Sequence, residues 1–412
     1  MAIIVQKFGG TSVADIDRIK TVAEFVKKEV ANGNKVVAVV SAMAGTTNKL
    51  VEWAGEISSL TSQEEYREYD AIVASGEQVT AGLLALCLQS QGIPACSWLG
   101  WQLPLRTDIS HSKARIKNIE PEEVLKSLEK GEVAIVAGFQ GVTDEGRIAT
   151  LGRGGSDTSA VALAAALNAK RCDIYTDVDG VYTCDPRIVK KARKLDKISY
   201  EEMLEMASLG AKVLQTRSVE MAMRHGVCLR VLSSFEDDIC ESKGTYLVDE
   251  GEIMEKNKVT GIAYSRDEAR ITLTKVSDRP GVAGDILGYL ADAEINIDMI
   301  VQNSSVDGKE TDFTFTVGKA DLEYALSILE KKKVELEYED LYSDGNVAKV
   351  SVIGMGMKSH AGIARQMFKT LAEKGINIII ITTSEIKISV LVEEEYMELA
   401  IRALHTAYGL DG

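Results

Sequence analysis

The 412-residue chain sets 47 Lys and Arg against 62 Asp and Glu, and its formal charge of −15 disfavours a nucleic-acid surface or an anionic membrane as partner. Its 45% apolar and 26% charged residues are ordinary for a globular protein, and the length allows two or three domains. Any phosphate-binding site on so acidic a chain must bring its own cations. Cys87, Cys96, Cys172, Cys184, Cys228 and Cys240 form no CxxC pair and have no histidine at metal-ligand spacing. They are expected as free thiols in a reducing cytoplasm rather than zinc ligands. The chain opens on a strand-like run without a signal peptide, and no apolar segment is read as approaching the ~18 residues of a membrane helix. The expectation is a cytoplasmic protein with no membrane partner.

In chain order, Ala2–Phe8 reads as a strand that runs through Lys7 into Gly9-Gly10-Thr11-Ser12, followed by a helix from about Asp15 to Val30. The arrangement has the logic of a phosphate cradle, although no GxxxxGK[ST] or GxGxxG pattern occurs. Lys35–Ser41 is a second apolar strand, ending in the small, polar loop Ser41 to Asn48. In open α/β sheets ligands gather at such strand ends. A helical segment over 62–92 contains Ser75-Gly76-Glu77-Gln78, where Glu77 is either a favourable helix-dipole partner or a carboxylate for a substrate ammonium. Strands at 93–98 and 133–138 continue the strand–helix alternation, which implies a largely parallel sheet with helices on both faces.

The chain is organised around Leu151–Ala169, LGRGGSDTSAVALAAALNA. An apolar strand precedes it, and Ala160, Val161, Leu163, Ala164 and Leu167 recur at helical spacing, predicting a helix that buries one face. Between the two, Gly154 and Gly155 allow a tight turn, Ser156 or Asp157 suits an N-cap, and the free N–H groups of the first turn favour an anion. Arg153 adds a fork suited to carboxylate or phosphate. Past it, a strand from Cys172 runs into Thr176-Asp177-Val178-Asp179-Gly180-Val181-Tyr182 and then Asp185-Pro186-Arg187. Helices are expected at about 199–208 and 210–225, with Lys212 opening the second, then a strand at Val227–Leu232.

The charged, aperiodic run at 249–258 reads as a linker after a domain spanning 1–248. Beyond it the chain repeats: Gly281 and Gly362, Leu290 and Leu371, Asn296 and Asn377 are each 81 residues apart. Each copy, 259–342 and 343–412, reads strand, helix, strand, strand, helix with room for a last strand, so both are small ferredoxin-like α+β modules.

KFGGTSV at 7–13, VVSAM at 39–43, SGEQV at 75–79, AGFQGV at 137–142, the LGRGGSDTSAVALAAAL stretch at 151–167 and YTDVDGVYTCDPR at 175–187 together resemble the amino-acid kinase family, in its monofunctional aspartate kinase branch. The paired modules resemble the tandem ACT domains of those enzymes, and the likeness runs essentially end to end. The second copy departs in carrying Ser359-His360-Ala361 where the first has Asp278-Arg279-Pro280.

The resemblance implies ATP-dependent phosphorylation of the L-aspartate β-carboxylate, with Mg²⁺ riding on the nucleotide and no dedicated protein metal site. It places Lys7 at the transferring phosphate and has Asp157 orient that lysine. Gly9, Gly10, Ser41, Thr176, Asp177, Asp179, Tyr182, Arg187 and Lys212 would frame ATP. Thr47, Glu77, Arg153, Gly154, Gly155 and Ser156 would hold the acceptor, with Arg153 on a carboxylate and Glu77 on the ammonium. A carboxylate acceptor is ionised at neutral pH, so no general base is required and His111, His225, His360 and His405 are expected as structural or surface residues.

Lysine, threonine or both would act as feedback effectors at the ACT modules, through Asp278, Gly281, Val282, Ala283, Asn296, Asp298 and Gln302 of the first copy with Asn377, Ile378 and Glu385 of the second. ACT modules usually pair between chains, which implies a homo-oligomer. Some relatives also make a separate ACT-only chain, for which Met254 stands at a suitable start. Two rivals are kept: a kinase of glutamate or N-acetylglutamate, and a catalytically silent amino-acid sensor.

Overall fold

Strands buried on both faces must be apolar throughout, and Val36–Val40 and Val133–Ala137 are buried at every position. A computed structural model describes residues 1–209, 213–236, 244–253, 258–304, 310–357 and 362–412. Lys212, Cys240, Met254 and the Ser359–Ala361 departure lie outside the described residues. The chain forms two units, one of 1–181, 194–208 and 212–254, the other of 182–193, 209–211 and 255–412.

The first unit holds an eight-stranded sheet in the order Lys197–Ser199, Thr245–Val248, Leu229–Ser233, Arg171–Thr176, Ile3–Phe8, Lys35–Val40, Val133–Ala137, Ala95–Trp98. Among the described residues its only antiparallel pair is Leu229–Ser233 with Thr245–Val248. The core is dominated by aliphatic residues around Phe8 stacked on Tyr175 at 4.8 Å, with Phe25 edge-on at 5.0 Å.

Four features of this unit depart from the sequence reading. The central helix, Gly155–Ala166, is buried at every residue from Gly155 to Ala164 rather than on one face. Alanines there let the sheet and the helix Thr216–His225 approach from opposite sides. A second sheet, Ile116–Ile119, Leu105–Thr107, Gln140–Val142, Ile148–Thr150, is built from strands too short to show a period. Thr46–Ile57, its first three residues read as the end of a loop, is a helix whose only buried residue is Ala54, so it carries no apolar stripe to announce it. Finally, the 62–92 segment is two helices, Gln63–Val73 and Ser75–Ser90, joined through Ala74 in helical conformation. Together they contain an 18-residue window of mean hydropathy 1.6, long and apolar enough to cross a membrane, contrary to expectation. Half of that window is buried inside the unit, where the second helix packs on Ile16–Ala31 and the strands beside it.

The second unit is a six-stranded antiparallel sheet, Ile297–Ser304, Glu310–Val317, Gly261–Ser277, Leu341–Ile353, Lys387–Glu393, Ile380–Thr383. The two long strands each serve both repeats. Ala269–Ser277 is the first strand of the first copy, while Gly261–Ser265 pairs with Lys349–Ile353 and closes the second. Leu341–Asp344 in turn closes the first copy against Arg270–Leu273. The last strand of copy two is therefore supplied from ahead of copy one. A cut between residues 342 and 343 falls inside a strand shared by both.

Candidate active site

Four neighbouring parallel strands end at one edge of the large sheet, at Phe8, Val40, Ala137 and Thr176, and the loops that follow carry Gly9, Gly10, Ser41, Asp177 and Asp179. Lys7 is not a surface lysine. Its Nζ lies 2.6 Å from Asp157 Oδ1 on the central helix, and both side chains are about nine-tenths buried at 11% and 9% exposure. The approach is an ion pair off the hydrogen-bond axis, so that oxygen has no aligned donor.

The backbone donors are fewer than the sequence suggests. Gly9 N–H is donated to Tyr175 C=O at 3.3 Å and Ser41 N–H to Phe8 C=O at 3.1 Å. Neither Ser156 nor Asp157 is the N-cap of the central helix: Gly154 is, in the left-handed region at φ +68°, with no side-chain cap. A Cβ on Gly154 would lie 1.8 Å from Gln215 Cγ, so only glycine fits the turn. Gly155 and Asp157 N–H groups close onto Gly152 and Gly154 carbonyls, which leaves Ser156 N–H without a backbone acceptor among the described residues. Gly10 N–H is likewise uncommitted to backbone.

Glu77 sits in the first turn of Ser75–Ser90, 3% exposed. Its Oε1 accepts Ala42 N–H at 3.0 Å, and Oε2 has no hydrogen-bond partner among the described residues. Burial pushes the carboxyl up to about 7, against the lowering effect of the Ala42 bond. A Cβ on Gly76 would lie 2.7 Å from Ala42 Cβ and 3.5 Å from Thr46 Cγ2, and this close approach seats Glu77 beneath the loop that leads to half-buried Thr47. Arg153 projects from the Gly152–Gly155 turn, exposed and without an ion pair among the described residues.

Thr176 donates its hydroxyl to exposed Asp177 at 3.1 Å, and Asp179 pairs with Lys194 at 3.0 Å. Tyr182 and Arg187 belong to the second unit, where exposed Arg187 forks onto Asp185 and holds that carboxyl below the usual range. Two histidines are buried and bonded: His111 to Asp70 at 2.8 Å, and His405 between Thr183 at 2.9 Å and Asp411 at 2.8 Å.

In the second unit Gly281 is the N-cap of the helix Val282–Asp292, so Asp278 does not cap it. Val282 N–H, expected free for a ligand carboxylate, is donated to Arg279 C=O at 3.2 Å, which leaves Ala283 N–H without a backbone acceptor among the described residues. Asp298, expected to meet an amine, is already ion-paired to Lys349, a buried lysine that also meets Glu268 at 2.7 Å. Half-buried Asp278 makes no hydrogen bond or ion pair among the described residues. Asn296, Gln302, Asn377 and Glu385 are exposed and Ile378 half-buried. Met299 and Val301 of the first copy share one apolar cluster with Ile379 and Ile380 of the second, which draws the 297–302 strand and the 377–380 segment together.

A buried lysine–aspartate pair at the carboxyl edge of a parallel sheet, with glycine turns and few free amides, is a site for moving an anionic group. The model of the amino acid kinase family matches residues 2–233, and ACT domain models match 270–333 and 350–408. The aspartate kinase of Pseudomonas putida is 55% identical over 412 residues, covering 100% of this chain and 98% of its own. The chain belongs to the aspartate kinases of the amino acid kinase family.

The aspartokinase of Helicobacter pylori strain 26695 is 48% identical over 413 residues, covering 99% of this chain and all of its own. Among solved structures, E. coli aspartokinase III in complex with aspartate and ADP matches with a TM-score of 0.80 at 28% identity, covering 98% and 99% of the two chains. The same enzyme in complex with lysine and aspartate gives 0.77 at 28% identity over the same shares. A kinase with two ACT domains is an ATP-dependent phosphotransferase with an appended regulatory fold, and that agrees with the division of this chain. Sequence reasoning missed Asp70, Gln140 and Thr150, which tie the short second sheet to the Glu77 helices. Their partners lie 41 to 80 residues away, so no local pattern could mark them.

Proposed function

We propose that this chain transfers the γ-phosphoryl group of ATP to the β-carboxylate of L-aspartate, giving 4-phospho-L-aspartate on the way to lysine, threonine and methionine. The observation that carries the reading is the buried Lys7–Asp157 pair at the carboxyl edge of the parallel sheet. The likeness to E. coli aspartokinase III in complex with aspartate and ADP supports it. The acceptor oxygen attacks phosphorus, the bond to the β–γ bridging oxygen breaks, and ADP leaves with that electron pair. No proton moves, so Asp157 is not needed as a base and serves to hold the Lys7 ammonium. Two anions must be brought together, and Lys7 with the Gly10 and Ser156 amides supplies fixed positive ends where charge develops.

Arg153 takes a substrate carboxylate, Glu77 takes the ammonium and Thr47 assists. Ser41, Thr176, Asp177 and Asp179 of the first unit face the nucleotide, while Tyr182 and Arg187 are candidates by resemblance alone. Bound Mg²⁺ would neutralise the nucleotide's phosphates. Five free thiols among the described residues suit a reducing cytoplasm. The test is acyl-phosphate formation from ATP with aspartate, glutamate and N-acetylglutamate in parallel. Turnover on aspartate alone is expected, and none on any of the three would favour the silent sensor.

Glu77 gives this reading a pH signature. Its folded value of about 7 lies above its ordinary 4.5, so the protonated acid favours the fold at low pH. That contribution, about 3 kcal/mol, is lost as pH rises from 4.5 through 7. A substrate ammonium needs the carboxylate, so KM for aspartate should fall roughly tenfold between about pH 6 and pH 8. Glu77→Gln should have a high KM that no longer moves with pH. A parent enzyme with a flat profile would remove Glu77 from the ammonium site.

Feedback by lysine, threonine or both is proposed at the paired ACT modules. Asp278, without a side-chain partner among the described residues, takes the effector ammonium and Ala283 N–H its carboxylate, beside Gly281, Asn296 and Gln302. Asp278→Ala should abolish inhibition while uninhibited kcat stays near normal, because a ligand shifts an equilibrium only by its differential affinity. Inhibition curves with each amino acid, alone and mixed, decide it; an unchanged inhibition constant places the effector elsewhere. Edge-strand residues Ile300 and Ile381, 81 positions apart and each 45% exposed, suit pairing of these modules between copies of the chain.

A further inference from the structure

The Glu77 helix and the Arg153 turn come from distant stretches of sequence, yet a buried polar clamp joins them. Asp70, fully buried, lies seven residues before Glu77 on two helices that run end to end through Ala74, hence on the same face about 10 Å away. Its carboxylate accepts Thr150 N–H at 3.0 Å, Thr150 Oγ1–H at 2.6 Å, Ser112 N–H at 3.1 Å and His111 Nδ1 at 2.8 Å. Contacts from Thr150, Ser112 and His111 thus surround the carboxylate.

Thr150 ends a strand and stands three residues before Arg153. Its ladder partner is Gln140, itself 1% exposed. Gln140 Nε2 donates to the Ala74 carbonyl at 2.9 Å, at the joint between the two helices, and its Oε1 accepts Gln78 Nε2 at 3.3 Å. The far side of the turn is held as well. Leu151 N–H is donated to the Phe139 carbonyl at 2.9 Å, and Arg217 donates to the Leu151 carbonyl at 2.8 Å and the Ala114 carbonyl at 2.7 Å. The 140–150 hairpin is thus fastened to the helical rod at 70, 74 and 78, which brackets Glu77, and it delivers Arg153 at its end.

We infer that Asp70 and Gln140, through Thr150, are positioning residues that set the span between the ammonium-binding Glu77 and the carboxylate-binding Arg153, and so the fit of the amino-acid substrate. The inference rests on the aspartate reading above. Misplacing a binding group by about 1 Å can cost roughly 10²-fold, and a clamp lost at one bond should cost less. Thr150→Val removes one donor and nearly no volume, and should raise KM for aspartate about tenfold while KM for ATP stays within about twofold. Thr150→Ser keeps the hydroxyl and should restore the parent value. Gln140→Met should shift KM for aspartate in the same direction as Thr150→Val, a check that does not depend on Asp70 variants folding.

Hydrogen exchange across 151–155 is followed in the same proteins and should be faster in Thr150→Val than in the parent or Thr150→Ser. Unchanged KM for aspartate in Thr150→Val and Gln140→Met, or an equal rise in both substrates' KM, overturns the inference. So does a lowered Tm with unchanged KM. If the parent fails to turn over aspartate, the substrate reading falls, and exchange at 151–155 then judges the clamp alone: faster exchange upholds it and unchanged exchange overturns it.

Discussion

Lys7→Ala should lower kcat by roughly 10²-fold or more, with KM for aspartate changed far less. The lysine is a buried cation paired with Asp157 of the central helix, and removing one charge partner of a phosphoryl transition state costs on that scale. Because Lys7 is buried with Asp157, the change also strips a carboxylate of its counter-charge, and about 3 kcal/mol of stability should go with it. Lys7→Ala with Asp157→Asn would return much of that stability without returning kcat. Steady-state rates and denaturant midpoints on both proteins separate the two effects. A kcat near that of the parent in the single variant would remove Lys7 from the chemistry.

Arg153→Lys should raise KM for aspartate by about 10- to 100-fold and leave KM for ATP within about twofold. The side chain stands exposed on a turn fixed by Gly152 and Gly154, with no ion pair among the described residues to hold it elsewhere. A guanidinium grips a carboxylate with two parallel N–H groups, whereas an ammonium offers a point charge on a flexible stem. One charge-assisted hydrogen bond is worth about 1.5–3 kcal/mol, which sets the range. Initial rates with each substrate varied at saturation of the other provide the measurement. Equal changes in both KM values would move Arg153 to the nucleotide.

Most of the architecture was legible because it is written locally. Runs such as KVVAVV and VAIVA, flanked by glycine and polar turns, can only be buried strands, and an 81-residue offset across three landmarks marks two copies of one module. Lys7, Glu77, Arg153 and Asp157 stood out for the same reason: each sits beside glycines at an element's end. The helix Thr46–Ile57 did not, since an exposed helix with one buried residue carries no periodic stripe. Strands of three residues are equally silent.

What the chain determined by itself is therefore the apolar strands of the large sheet, the family, and a set of candidate groups beside glycine turns. Tertiary structure alone decided which of those groups are already committed. Gly9, Ser41 and Val282 spend their N–H groups on carbonyls that only the folded chain brings near, and Lys349 claims Asp298 from another strand. It also decided that the last strand of the second module comes from ahead of the first, and that Asp70 meets Thr150 across 80 residues. Side-chain period and turn chemistry act over a few residues, whereas a buried polar group takes whichever partner three-dimensional packing offers, and nothing in local sequence encodes that choice.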